Sequence, residues 1–469
     1  MRMHKDKPTT PTMSTKKSNT KKSKAKPIPK HLEHINIWAA GIDIGATSHY
    51  VAVPEGCDEK TVREFSTFTT GLNELANWLE QCKITTVAME STGVYWIPVY
   101  ELLEERGFEV KLVDARQVKN VSGRKTDVLD CQWIQQLHTY GLLQGAFRPA
   151  DEICELRAYV RQRSMLVTSA ARYIQQMQKA LTQMNLQLHH VISDLTGTTG
   201  LAIIRAIIGG ERDADVLAKY RDPRCKNNIS TIKAALTGNY RAEHLFALTQ
   251  SLELYDYFQL KIEACDDQIE ANLAEFATHA IVANRPVDQL NPNKKKIAKG
   301  APKFDLGREL HRLTGVDLLA VPGINTVTAL QLIGEIGLDV TRWKSAKQFA
   351  SWLGLCPGNH VSGGKIISSK TKPTSNRAAA TLRMAASTLY KNSTALGAYL
   401  RRMKSRKGPM KAITATAHKL AKIIYNMLRT GLEYVEAGQA YYEEQYRDRV
   451  IKNLKKKAGE FGLDLVTRS

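Results

Sequence analysis

Ile37-Trp-Ala-Ala-Gly-Ile-Asp-Ile44, closed by Gly45-Ala-Thr47, is the stretch on which the fold turns. Its run of apolar residues, bounded by a glycine, reads as a buried strand, and its one ionisable group is Asp43. A carboxylate in such a run is costly unless something compensates it, and a bound divalent cation is the usual compensation. Working outward, Tyr50–Val53 and Val62–Phe68 read as two further short strands. Leu72–Leu79 has helical spacing, Ile84–Met89 is another β-branched run, Val94–Glu105 is helical and Phe108–Val113 is a strand. Asp127–His138 is helical again. Three strands followed by helix–strand–helix–strand–helix predict a mixed α/β sheet with helices on its faces over residues 35–150.

Three more acids fall at the ends of these elements. Glu90 closes Val87-Ala-Met-Glu90, just before the turn residues Ser91-Thr-Gly93. Asp127 and Asp130 stand three apart in Lys125-Thr-Asp-Val-Leu-Asp130, a spacing that puts both on one face of a helix. Taken singly, Glu90 and Asp127 also read as helix-capping acids, and Asp130 as a surface residue. Taken together, four carboxylates from two adjacent strand ends and one helix suit a pair of metal ions. Such a pair activates a nucleophile and stabilises a leaving oxygen in phosphodiester chemistry. A donor set of oxygens alone favours Mg²⁺ or Mn²⁺.

Beyond residue 150 the pattern turns helical. Residues 151–282 hold two long stretches, Glu152 to about Leu195 and about Ala242 to Ala280, around an irregular insertion at 197–239. They read either as an antiparallel coiled-coil arm or as two amphipathic helices of an ordinary bundle. Residues 283–310, rich in Pro, Asn and Lys, read as a linker. Residues 311–435 form a mostly helical domain, and 436–469 hold a charged, solvated C-terminal helix.

Within 311–435, Val321-Pro-Gly-Ile324 has the signature of a helix–hairpin–helix. There Pro322 and Gly323 would bring backbone N–H groups against a DNA phosphate; the alternative is an ordinary helical turn. Further on, His360-Val-Ser-Gly-Gly-Lys365 follows Trp352-Leu-Gly-Leu-Cys-Pro-Gly358. Ser362, flanked by Gly363 and Gly364, is a hydroxyl that a bulky phosphate can approach. Lys365, Lys370, Lys372, Arg377 and Arg383 follow as cations for that phosphate. By composition alone, a serine in Ser-Gly-Gly is more often a loop residue than a nucleophile.

Charge points the same way. The 469 residues carry a formal +21 at pH 7, of which the first thirty supply nine, so twelve remain on the body. A basic body suits a polyanion, because neutralising phosphates releases counterions. Residues 1–34, rich in Lys, Thr, Ser and Pro, read as a disordered basic tail without the apolar core of a secretory signal. Seven scattered cysteines without CxxC spacing speak against structural zinc and against a disulfide framework. No apolar run is long enough to span a membrane. The expected location is the cytoplasm, at the nucleoid.

In their contexts Gly41-Ile-Asp-Ile-Gly45, Met89-Glu-Ser-Thr-Gly93 and Lys125-Thr-Asp-Val-Leu-Asp130, the four acids resemble the DEDD transposases of bacterial insertion sequences. These are RNA-guided recombinases related to Piv-type DNA invertases. The resemblance covers nearly all of residues 37–435. It implies a ribonuclease H-like (RuvC-like) N-terminal domain with Asp43, Glu90, Asp127 and Asp130 as a catalytic, Mg²⁺-binding tetrad. It implies that Ser362 attacks DNA to form a covalent phosphoserine link, with Ser368, Ser369 and Ser375 as lesser candidates. It also implies double-stranded DNA partners (element ends and target), a structured guide RNA, and a homo-oligomer, dimer or tetramer, with composite sites. The lysine-rich tail and the 197–239 insertion depart from the pattern. Three rivals stand beside it. One is an actin-like sugar kinase, from Gly41-Ile-Asp-Ile-Gly-Ala-Thr47, although no second phosphate loop follows. Another is a metal-dependent DNA junction nuclease without serine chemistry, and the third is a non-catalytic nucleic-acid-binding protein.

Overall fold

The computed structural model describes residues 34–91, 93–114, 127–279 and 300–466, in two compact units divided after Arg148. The basic tail up to residue 33, Thr92, the Lys125-Thr126 approach to Asp127, and residues 283–299 of the linker lie outside the described residues.

The first unit is built on a five-stranded sheet in the order β3-β2-β1-β4-β5. Its strands are β1 (Ala39–Ile44), β2 (Ser48–Ala52), β3 (Val62–Ser66), β4 (Thr86–Glu90) and β5 (Glu109–Val113). The first three run antiparallel, whereas β4 and β5 lie parallel to β1. Hairpins join the antiparallel strands, and the helices α1 (Thr69–Gln81) and α2 (Trp96–Glu105) make the crossovers that parallel strands require. This mixed sheet, with a mostly helical second unit, is consistent with a ribonuclease H-like fold.

The two faces of the sheet differ. Ile42, Ile44, Val51, Val87 and Met89 join Leu72, Leu75, Leu79, Val99 and Leu103 of α1 and α2 in the larger core. On the other face, α3 (Asp127–Thr139) packs Ile134 and Leu137 onto Ala88 and Val113. Its far end is anchored by His138, whose Nε2 lies 2.9 Å from the Thr86 hydroxyl, which donates to the Glu109 carbonyl.

The second unit begins with α4 (Asp151–Gln183). Four short helices follow: α5 (Leu188–Val191), α6 (Thr198–Ile208), α7 (Ala214–Ala218) and α8 (Ile229–Ala235). Then α9 (Ala242–Glu275) returns along α4. Arg163 pairs with Asp266, and Tyr173, ten residues further up α4, stacks on Phe258, eight residues back along α9. The two helices are therefore antiparallel. The 197–239 segment, expected to be irregular, is helical instead. Ile203, Ile204, Ile207, Leu217, Ile232 and Leu236 bury themselves against Met177, Leu181, Met184 and Leu248. The helices α7 and α8, of five and seven residues, are too short to show a period, and burial against the long helices stabilises them.

The rest is α10 (Leu306–Thr314), α11 (Thr326–Ile336), α12 (Ala346–Trp352), the β6–β7 hairpin (His360–Ser362, Lys365–Ser368), α13 (Arg377–Thr388), α14 (Ala395–Lys407), α15 (Pro409–Thr430) and α16 (Gly438–Gly459). No residue of α16 is buried. Arg157 of α4 donates to the carbonyls of Gly334 and Glu335 at 2.9 and 2.8 Å, satisfying acceptors at the end of α11. No helix among the described residues is long and apolar enough to cross a membrane, and all seven cysteines are free.

Candidate functional site

The four acids gather about the carboxyl ends of β1 and β4, near enough for each of the other three to act on Asp43. These strands pair in parallel through Ile42 and Met89, so one step further Asp43 and Glu90 fall level. Glu90 is fixed there by its neighbour. The Ser91 amide and hydroxyl both donate to the Val113 carbonyl, at 3.0 and 3.1 Å, tying the end of β4 to β5. The third and fourth acids arrive on the first turn of α3, where negative charge also suits the helix dipole.

Gly41 permits this approach. It lies two residues before Asp43, hence on the same face of β1, and a Cβ there would stand 2.2 Å from the Gln135 amide nitrogen and 2.5 Å from the Cys131 carbonyl oxygen. Only a bare backbone lets α3 cross so closely. Its amino end consequently projects Asp127 and Asp130 over Asp43.

Electrostatics report the convergence. The Asp43 carboxyl is pushed up to about 6, first by burial and then by the fields of Asp127, Asp130 and Glu90. It is half-buried rather than wholly enclosed. Cys131, beneath it, is pushed up to about 12 by burial and by Asp43, so it remains a neutral thiol. The donors on offer are oxygens, the set expected for Mg²⁺ or Mn²⁺. The carboxylates are not drawn to a common point: among the described residues no three His, Cys, Asp or Glu groups stand ready to hold one ion. The residue types fit a divalent cation, and mutually repelling acids would close on it only as their charge is neutralised.

Two polar neighbours were missed by sequence reasoning. Across the sheet, Asp43 pairs with Tyr50 of β2, and Tyr50 pairs with Glu64 of β3. Glu64, Tyr50 and Asp43 therefore form one row on the α3 face. Alternation marks Tyr50 as a strand residue, but only the register reveals what stands beside it.

Ser362 ends β6 in the second unit. Gly363 and Gly364 have φ of +55° and +74°, the two-residue turn that joins tightly twisted strands, and Ser362 pairs directly with Lys365 across it. The serine is thus at the exposed tip of a β-hairpin rather than in an irregular loop. Its base is fixed by a bridge from Pro357 to Thr371, by the Gly358 amide donating to the Lys370 carbonyl at 2.9 Å, and by Gly354 packed on Thr374. Behind it, Trp343, Phe349, Trp352 and Tyr425 make an aromatic cluster, closed by the Tyr425 hydroxyl donating to the Trp343 carbonyl. Lys365, Lys370, Lys372 and Arg377 are all exposed along the returning strand and the start of α13. Ser368 closes β7 half-buried, whereas Ser369 and Ser375 are exposed on the segment leading to α13.

Pro322 and Gly323 lie between a short 3₁₀ turn, Leu318–Ala320, and α11. Gly323 has φ +85°, and a Cβ there would stand 2.8 Å from the Ala385 carbonyl of α13. Its positive φ favours glycine, and its missing side chain admits the close approach of α13.

A family model of the DEDD IS110 type, described as "Transposase", matches residues 40–186, which include all four acids. A second, described as "Transposase IS116/IS110/IS902 family", matches residues 317–401, which include Ser362. The putative transposase y4pF/y4sB of Sinorhizobium fredii (strain NBRC 101917 / NGR234) is 30% identical over 130 residues, 26% of this chain and 33% of that protein. The transposase for insertion sequence element IS1328 of Yersinia enterocolitica is 22% identical over 332 residues, 70% of this chain and 77% of its own length. The chain thus spans about a third of the first relative and about three quarters of the second. In both its sheet unit and its helical unit, the chain is similar to transposases of the IS110 type.

Proposed function

We propose that this protein is a DNA transposase that cuts and rejoins strands through a covalent phosphoserine link at Ser362, assisted by the acids Asp43, Glu90, Asp127 and Asp130. The observation that carries the reading is the gathering of these acids about Asp43, which burial first and then the fields of the other three lift to about 6. Three neighbouring carboxylates around a fourth are unfavourable unless their chemistry needs them together. The exposed hairpin tip with its trailing cations supports the second half of the reading.

The Ser362 oxygen attacks phosphorus, forming one phosphoester bond as the bond to the departing strand oxygen breaks. The hydroxyl proton leaves to water, and the departing oxygen gains one. Because one ester replaces another, the bond's energy is kept for rejoining and no ATP is consumed. Lys365, level with Ser362, and Lys370, Lys372 and Arg377 hold the phosphate. Asp43, Glu90, Asp127 and Asp130 would hold Mg²⁺, or Mn²⁺, which when bound supplies Lewis-acid polarisation of the phosphate. The working form is a homo-oligomer on double-stranded DNA, guided by a structured RNA that leaves base choice to pairing.

Adduct trapping tests this. Wild type and Ser362→Ala are incubated with element-end DNA, with and without Mg²⁺ and the end-encoded RNA. A covalent adduct made by wild type and absent from the variant is expected. Undiminished cutting by Ser362→Ala, with no adduct from either, would instead favour a junction nuclease.

A further inference from the structure

The row Glu64–Tyr50–Asp43 has a consequence for the acid cluster, and it rests on the reading of that cluster as a cation site. Neighbouring strands lie about 4.8 Å apart, so Glu64, two strands from Asp43, is roughly 9.6 Å away at backbone level. Tyr50 stands between them.

A phenol has one proton to donate. Here the Tyr50 hydroxyl donates to Glu64, which also accepts from Ser48, and these two bonds hold the Glu64 carboxyl below its usual range. The charge of Asp127 also acts on Tyr50 from α3, and Asp43 is its cross-strand partner. Without Glu64, that proton would turn to the nearest remaining anion.

We infer that Glu64 is a positioning residue for the acid cluster: by taking the single hydroxyl proton of Tyr50, it keeps the phenol from hydrogen bonding to Asp127 or Asp43 and leaves their carboxylates available to a cation. Tyr50 then turns only its oxygen lone pairs toward the cluster. Glu64 itself is exposed on β3, so its loss does not open the core.

The test measures Mn²⁺ binding by the full chain, by electron paramagnetic resonance, with thermal unfolding as the control for folding. Glu64→Ala should weaken Mn²⁺ binding about tenfold, the scale of an outer-layer ligand partner. Glu64→Gln, whose amide oxygen still accepts the proton, should bind nearly as wild type does. Adding Tyr50→Phe to Glu64→Ala removes the stray proton and should recover most of the loss. A Glu64→Ala protein that folds and binds Mn²⁺ normally overturns the inference, as does a loss that Tyr50→Phe fails to relieve. Asp43→Asn separates the layers: if it leaves Mn²⁺ binding intact, the cation reading itself falls, and the inference with it.

Discussion

Gly41 and Cys131 touch backbone to backbone: a Cβ on the glycine would stand 2.5 Å from the cysteine's carbonyl oxygen. Nothing there can swing aside, because the Gln135 amide on the same helix is closer still, at 2.2 Å. Gly41→Ala must therefore push α3 off β1, costing about 1–3 kcal/mol or more. Thermal or denaturant unfolding measures that cost. Because the shift also carries Asp127 and Asp130 away, the Asp43 pKa should fall in the same variant.

Asp43 should titrate near 6 in the metal-free protein, as read by carbon-13 NMR of its carboxyl. Neutralising its neighbours singly should lower that value, most for Asp127→Asn, less for Asp130→Asn and least for Glu90→Gln. Burial, the largest cause, should keep it above the ordinary 3.8 in all three. Added Mg²⁺ should draw it down further, since a cation favours the ionised form.

His138 predicts how stability depends on pH. Burial, with Lys111 nearby, brings its imidazole down from 6.5 to about 4. Between those values the unfolded chain binds a proton that the folded one refuses, so its contribution falls as pH drops from 6.5 and levels off below about 4. The full drop is about 3 kcal/mol. Asp43, raised rather than lowered, contributes with the opposite sign between 3.8 and about 6. Denaturation measured across pH 4–7 should therefore show a steeper acid loss in Asp43→Asn than in wild type, and a shallower one in His138→Gln.

Arg163 and Asp266 form an ion pair that is 5% and 8% exposed between α4 and α9. Asp266→Ala would leave a guanidinium buried with only the Gly300 carbonyl, at 2.7 Å, for company. A loss of about 3–5 kcal/mol in urea unfolding is expected. Replacing both, as Arg163→Met with Asp266→Leu, should cost far less, because no charge is then stranded.

Much of the first unit was legible before any coordinates. Runs such as Ile84–Met89 and Phe108–Val113 read as strands and fold as strands, and Asp127–His138 reads as a helix and folds as one. Asp43 interrupted such a run and Glu90 ended one, whereas Asp127 and Asp130 stood out by their spacing of three on a helix. Other features were hidden for physical reasons. The helices between Thr198 and Ala235 owe their existence to burial against α4 and α9. The β6–β7 hairpin did have a signal, since Gly363-Gly364 between alternating residues favours a two-residue turn. The contact of Gly323 with Ala385, sixty-two positions further along the chain, needed the fold to be seen. Tyr50 and Glu64 needed the β2–β3 register, which composition does not fix.

The central claim, that Ser362 is the atom to which DNA becomes joined, has one direct measurement. Trapped adducts can be digested with nuclease and protease, and the modified peptide sequenced by mass spectrometry. A nucleotide remnant on Ser362, lost in Ser362→Ala and in Asp43→Asn, is the predicted result. A remnant on Ser368, Ser369 or Ser375, or efficient strand joining with no modified serine at all, would contradict it.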